Sequence, residues 1–233
     1  MQNKKEKISI GDKINDFVQK NRKGIFIVSG IIFIVFIGLI VFIVVSEQTN
    51  KKAIAEVEEL SDEFNNLRFN INDNNYAAEV NTLLNKLNAF TGNKQGFAGG
   101  KAWSMIAQIH SGREEWAKAE DAWLNSARTG AKTYLGPIAF FNAAVAAEEQ
   151  GKTQKAIEYF KECVSHKFEF PDAPRAQFNI GRLYEQLGNT SEALEAYRAV
   201  IINWQWDRLN MNLPNMTLWQ DLARNQIIRL EVK

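Results

Sequence analysis

The side chains able to do chemistry are few, and their spacing does not favour it. There are two histidines, His110 and His166, and one cysteine, Cys163. A zinc or metalloprotease site needs ligands clustered as CxxC or HExxH, and the chain has neither. Glu114-Glu115 and Glu148-Glu149 are adjacent pairs; consecutive residues on a helix do not face one another, so these read as solvated carboxylates rather than an acid–base couple. Gly99-Gly100-Lys101 brings glycines to a lysine, but the GxxxxGK[ST] spacing of a phosphate loop is missing and no strand precedes it. Cys163 reads as a buried inert thiol, and His166 as a cation suited to a helix C-terminus. No nucleophile–base pair, metal set or cofactor cradle emerges. The expectation is a protein without catalysis, cofactor or metal. A net charge of +1 also gives no reason to expect a nucleic-acid partner.

The elements around these residues explain their types better. An alanine recurs at 119, 156 and 193, a period of 37 residues, and an aromatic follows each by four: Trp123, Phe160 and Tyr197. A turn glycine precedes two copies, Gly151 and Gly188; in the first copy the nearest is Gly112. Upstream of each lies a second helical stretch, beginning near Trp103, Phe140 and Gln177. A small residue lets two helices approach closely, and an aromatic one turn later fills the space beside it. Neither helix buries its apolar face alone, so such units stack and share a core. His110 occupies the place of a core aromatic in this pattern, which makes it structural.

These residues resemble the tetratricopeptide repeat (TPR), whose pattern runs Trp, Leu-Gly, Tyr, Ala, Phe. The third copy carries it best, as Ile180-Gly181, Tyr184, Gly188, Ala193 and Tyr197; the first supplies Trp103 but has Ala107 and His110 for the Gly and Tyr. The resemblance implies an all-α helical-hairpin solenoid. It also implies a binding groove lined by the first helix of each unit: Lys101, Ser104 and Gln108, then Ile138, Phe141, Asn142 and Val145, then Arg175, Phe178, Asn179 and Arg182. Phe141, Phe178 and Val145 would floor that groove and Arg175 and Arg182 would form a basic rim, suited to an apolar peptide with an acidic element. The same aromatics could equally pack between repeats. A clamp for a C-terminal carboxylate would need Lys and Asn where this chain has Ser104 and Gln108.

Residues 25–45, IFIVSGIIFIVFIGLIVFIVV, contain no charge over 21 positions. A helix rising about 1.5 Å per residue covers about 30 Å in that length, the thickness of a hydrocarbon core. A buried core helix would seldom be apolar on every side for so long, and a cleaved signal peptide would be shorter with a small-residue exit; a membrane span is expected. Seven Lys/Arg precede it (Lys4, Lys5, Lys7, Lys13, Lys20, Arg22, Lys23) and Lys51 and Lys52 follow, which places the N-terminus in the cytoplasm. Ile10, Ile14, Phe17 and Val18 recur at helical spacing before the span. They read as a short amphipathic helix at the inner membrane surface or as part of a disordered basic leader.

The expected organisation is therefore a basic leader (1–23), a transmembrane helix (24–46), a helical N-terminal cap (47–98), three repeats of period 37 (99–207) and a C-terminal capping helix (208–233). Gly-rich 90–101 reads as loop. This order, with Asn21-Arg22-Lys23-Gly24 before the span and Asn88-Ala89-Phe90-Thr91-Gly92 before the repeats, resembles the YfgM-like membrane-anchored TPR proteins of bacterial inner membranes. That resemblance implies a single-pass inner-membrane protein with a periplasmic domain, a scaffold that links the Sec translocon to chaperones for exported chains. The alternative is a structural envelope protein, in cell division or outer-membrane assembly, using the solenoid to associate with itself through Trp204, Trp206 and Trp219. A cytosol-facing import receptor needs the opposite orientation. An enzyme would need a cluster of perturbed titratable groups in a deep pocket.

Overall fold

The computed structural model describes residues 10–69, 75–92, 94–166, 170–204 and 216–232. Lys4, Lys5, Lys7, Trp206, most of 70–75 and most of the 203–215 connection lie outside them. The described residues form α-helices joined by turns, with no strand: α1 (Ile10–Lys20), α2 (Arg22–Phe69), α3 (Tyr76–Thr91), α4 (Gly96–Gly112), α5 (Trp116–Thr129), α6 (Leu135–Glu149), α7 (Thr153–Ser165), α8 (Ala173–Gln186), α9 (Thr190–Ile202) and α10 (Met216–Glu231). The chain divides into two compact units, Met1–Lys52 and Ala53–Lys233.

The first unit holds α1 and the apolar part of α2. Every large apolar side chain from Phe26 to Val45 is exposed, from Ile37 at 45% to Phe26 at 71%. This stretch of α2 is long and apolar enough to cross a membrane. The transmembrane helix and the start of the N-terminal cap, expected as separate elements meeting at 46–47, are one helix of 48 residues, with no Gly or Pro to interrupt 46–53. In α1, Ile10, Ile14, Phe17 and Val18 are likewise exposed.

The second unit is a succession of helical hairpins. From α3 onward each helix packs on the next along the chain; α4 also touches α6, and α8 touches α10. The 37-residue period is reproduced in the turns. The backbone N–H groups of Glu115, Lys152 and Asn189 donate to the carbonyls of His110, Ala147 and Tyr184, each at 2.9 Å. One residue earlier the chain turns through a left-handed conformation, φ 72° at Gly151 and 78° at Gly188. In the first repeat that place belongs to Glu114, φ 57°, and not to Gly112, which is the last residue of α4. The turn is set by the backbone hydrogen bonds, so register and not the nearest glycine selects the residue that must go left-handed.

Inside each hairpin the expected pairs close. Ala119, Ala156 and Ala193 are fully buried, and Trp123, Phe160 and Tyr197 lie beside them in the core. A Cβ on Gly181 would stand 2.7 Å from the Tyr197 ring, so the Gly of the motif makes room for its aromatic. Gly99 and Gly100 are helical rather than loop, and α4 begins at Gly96. A Cβ on Gly99 would meet Thr129 Cγ2 at 2.7 Å and one on Gly100 would meet the Gly130 backbone at 3.0 Å. The two glycines serve a close crossing of α4 and the α5–α6 turn. Ser126 Oγ donates to the Gly100 carbonyl at 2.8 Å and lies 2.8 Å from Ser104 Oγ.

The ends are covered as terminal units require. On α2 and α3, Ala53, Val57, Leu67, Val80, Leu83 and Leu87 are buried with the first repeat. At the far end Ala223 of α10 is buried with Phe178, Ala193, Tyr197 and Val200, with Trp219 packed against them.

Candidate functional site

The groups singled out for chemistry are engaged structurally. His110 Nδ1 lies 2.5 Å from Glu115 Oε2, closing the first hairpin turn. The bond from His110, then that from Lys118, holds the Glu115 carboxyl below its ordinary range. Cys163 is fully buried. Burial first, and the Asp172 charge second, push its thiol far above the range where a thiolate forms. The His166 backbone N–H donates to the Cys163 carbonyl at 3.2 Å, ending α7. Among the described residues no three His, Cys, Asp or Glu converge on a point fit for a metal.

The groove residues named from the repeat pattern divide into three groups. Phe141 and Phe178 are 7% and 9% exposed. Phe141 packs edge-on against Phe160, ring centroids 5.2 Å apart, and against Phe170 at 6.0 Å; Phe178 packs against Tyr197 at 5.2 Å and Trp219 at 5.3 Å. Both rings lie between helices, as does Ser104 at the same register of the first repeat. The cations are partly spent. Arg182 makes a two-pronged ion pair with Glu148 at 2.6 and 2.7 Å, and its Nε donates to Asn179 Oδ1 at 3.4 Å. The Arg175 guanidinium lies over Phe141, 4.8 Å from the ring centre, and 5.9 Å from that of Trp219. Lys101 pairs with Glu58 at 2.5 Å. Asn142 and Val145, with Gln108, line open space.

That space is a cleft of about 560 Å³ near the N-terminal end of the array. Its apolar walls come from Phe64 and Leu67 (α2), Tyr76, Val80 and Leu83 (α3), Ile109 (α4), Trp116 and Trp123 (α5) and Val145 (α6); among the described residues its charged lining is Arg68 and Arg113. The volume lies within the range of about 300–1,000 Å³ usual for ligand clefts. Sequence reasoning pointed to the second and third repeats; the cleft opens on the cap and the first. One signal was available. Trp116 stands where the later units have Thr153 and Thr190, and a tryptophan at a helix start is out of place in a solvated turn.

A second feature unread in the sequence is Glu120, a carboxylate only 5% exposed. It accepts from Gln150 Nε2 at 2.8 Å, Lys152 Nζ at 2.8 Å and Tyr159 OH at 3.0 Å. Burial pushes its pKa up, but bonds from Lys152, Gln150 and Tyr159 outweigh burial and hold it below the ordinary value. Burial and the Glu120 hydrogen bond push Tyr159 up to about 12. All three donors belong to the second repeat, so Glu120 joins it to the first repeat. Glu148 and Glu185 act similarly further on, each holding an arginine, Arg182 and Arg229, of a following element.

Paired helices of period 37, a small–aromatic couple in each and covered ends define a helical-hairpin repeat fold. Family models described as tetratricopeptide repeat match residues 104–166 and 147–202. A TPR repeat-containing protein of Treponema pallidum (strain Nichols) is 31% identical over 157 residues, 66% of this chain and 61% of that protein. The chain therefore spans about three fifths of the length of this relative. Among solved structures, nearly identical TPR-like repeats of a Podosopora anserina chain designated kinesin light chain align at 14% identity and a TM-score of 0.49, covering 75% of this chain and 91% of that one. A point-substituted form of that protein aligns at 12% identity, also with a TM-score of 0.49, over 76% and 94%.

Proposed function

We propose that this protein is a membrane-tethered repeat scaffold that binds other proteins and performs no chemistry of its own. One observation carries the reading: 21 uncharged residues, their large apolar side chains exposed from Phe26 to Val45, stand on the same chain as a helical repeat unit with its own buried core. So long an exposed apolar surface is stable only in lipid or under a partner. The excess of Lys and Arg before the span orients the N-terminus to the cytoplasm and exports the repeats. α1 then sets its apolar face into the inner leaflet. Tethering raises the effective concentration of the repeats near other membrane proteins. With the YfgM-like resemblance, the partners are translocon subunits, periplasmic chaperones or the exported chains passing between them, at a bacterial inner membrane.

The test has two parts. External protease on spheroplasts should degrade the repeats and spare residues 1–23. Mild-detergent purification from the native membrane should recover translocon subunits or periplasmic chaperones. Recovery of the protein alone, or with division and outer-membrane machinery, would transfer the function to a structural envelope role.

A further inference from the structure

We propose that the cleft between the cap and the first repeat is the docking site for a peptide segment carrying large apolar side chains beside an aspartate or glutamate. The inference rests on the scaffold reading and names the chemistry of its partner. Charge supports this occupant. Arg68 and Arg113 are exposed, and no carboxylate lies within ion-pair distance of either among the described residues. Arg113 has only the neutral Asn81 Oδ1, at 2.8 Å, and Arg68 only the Phe64 ring, 5.8 Å from its guanidinium carbon. Several arginines of the array are neutralised, Arg182 by Glu148, Arg198 by Glu231 and Arg229 by Glu185, while Arg175 lies over the Phe141 and Trp219 rings and Arg128 meets Asn125 Oδ1. Among the described residues the lining holds two cations and no carboxylate, which favours a carboxylate at its edge.

The walls support an apolar anchor. Nine large apolar residues enclose about 560 Å³, more than one large side chain fills. Gln108 is exposed on the wall, and Asn142, whose amide nitrogen donates to the Ile138 carbonyl at 2.9 Å, keeps its side-chain oxygen for an incoming N–H. These groups suit the backbone of an extended or helical peptide. The lining residues Arg113, Trp116 and Gln108 correspond, 37 residues on, to Gln150, Thr153 and Val145. The site therefore belongs to the first repeat and its cap and is not repeated along the array.

The experiment pans a random dodecapeptide phage library against the full-length protein in lipid nanodiscs. Three variants run in parallel: Arg68→Glu with Arg113→Glu, Val145→Trp, and the surface control Glu158→Lys. Wild type and control should enrich peptides with Asp or Glu next to Leu, Phe or Trp. The double reversal should weaken a selected acidic peptide at least about tenfold and turn the enriched charge from acidic to basic. Val145→Trp, by filling the cleft, should abolish the apolar preference. Unchanged enrichment in the double reversal would overturn the assignment, as would an absence of enriched peptides. So would a lipid that co-purifies with wild type and is lost in Val145→Trp. None of these outcomes alters the co-purification test of the scaffold, so the two readings fail separately. The arginine variants are exposed substitutions and keep the test decisive even if Val145→Trp misfolds.

Discussion

Glu120→Leu isolates the junction between the first two repeats. The later units hold Ile157 and Leu194 at the same register, so leucine fits the helical pattern. What it removes is the acceptor for three donors. Lys152 is 40% exposed and regains water at little cost. Gln150 Nε2 keeps the carbonyls of Ala146 and Trp116, at 2.8 and 3.2 Å. Tyr159 OH is left without its acceptor in a partly buried place, costing about 1–3 kcal/mol, and the charge-assisted bonds add about 1–2 kcal/mol. The expected loss is about 3 kcal/mol, with a fall in Tm of roughly 6–12 °C at about 2–4 °C per kcal/mol. Adding Tyr159→Phe removes the orphaned hydroxyl and should restore about half of the loss, a coupling of about 1–2 kcal/mol in a double-mutant cycle. The assay is urea and thermal unfolding of the solubilised full chain by tryptophan emission. All six tryptophans lie beyond residue 52, so the signal reports the repeat unit alone. A Glu120→Leu protein as stable as wild type, or additive single variants, would refute the network as a junction between repeats.

Three further outcomes are expected. Because hydrogen bonds hold the carboxyls of Glu120 and Glu115 below the ordinary value of 4.5, their contribution should be complete above that pH. It should be lost as pH falls through the lower folded values, and a urea midpoint that does not fall between pH 5 and pH 3 would count against it. Glu114→Gly relieves a left-handed non-glycine residue and should stabilise by about 0.5–1 kcal/mol, while Gly151→Ala and Gly188→Ala should each destabilise by about 1 kcal/mol, all read from urea midpoints. Phe178→Ala should cost about 3–5 kcal/mol by removing a ring packed on Tyr197 and Trp219, whereas a groove-lining residue would lose partner affinity without loss of stability.

The period, the small–aromatic couple and the span were legible because each is a local pattern: spacing along one helix decides which residues share a face. The placement of Phe141 and Phe178 was not. Their register identifies a face of α6 and α8, but whether that face meets solvent or the neighbouring α7, α9 and α10 depends on how far successive hairpins close upon one another. Glu120 left a trace, a charge where Ile157 and Leu194 stand, yet nothing local says that Gln150, Lys152 and Tyr159 converge on it from 30 to 39 positions away.

By itself the sequence determined an all-helical repeat chain with an apolar stretch long enough to cross a bilayer, because hydrophobic periodicity and length follow from composition along a single helix. Only the tertiary structure decided where the chain keeps open space. The cleft exists because α2, α3, α4, α5 and α6 meet with their apolar side chains incompletely interlocked, and among the described residues Arg68 and Arg113 face it with no acid in ion-pair distance. Such vacancies and imbalances are properties of the packed assembly of helices, and no single segment encodes them.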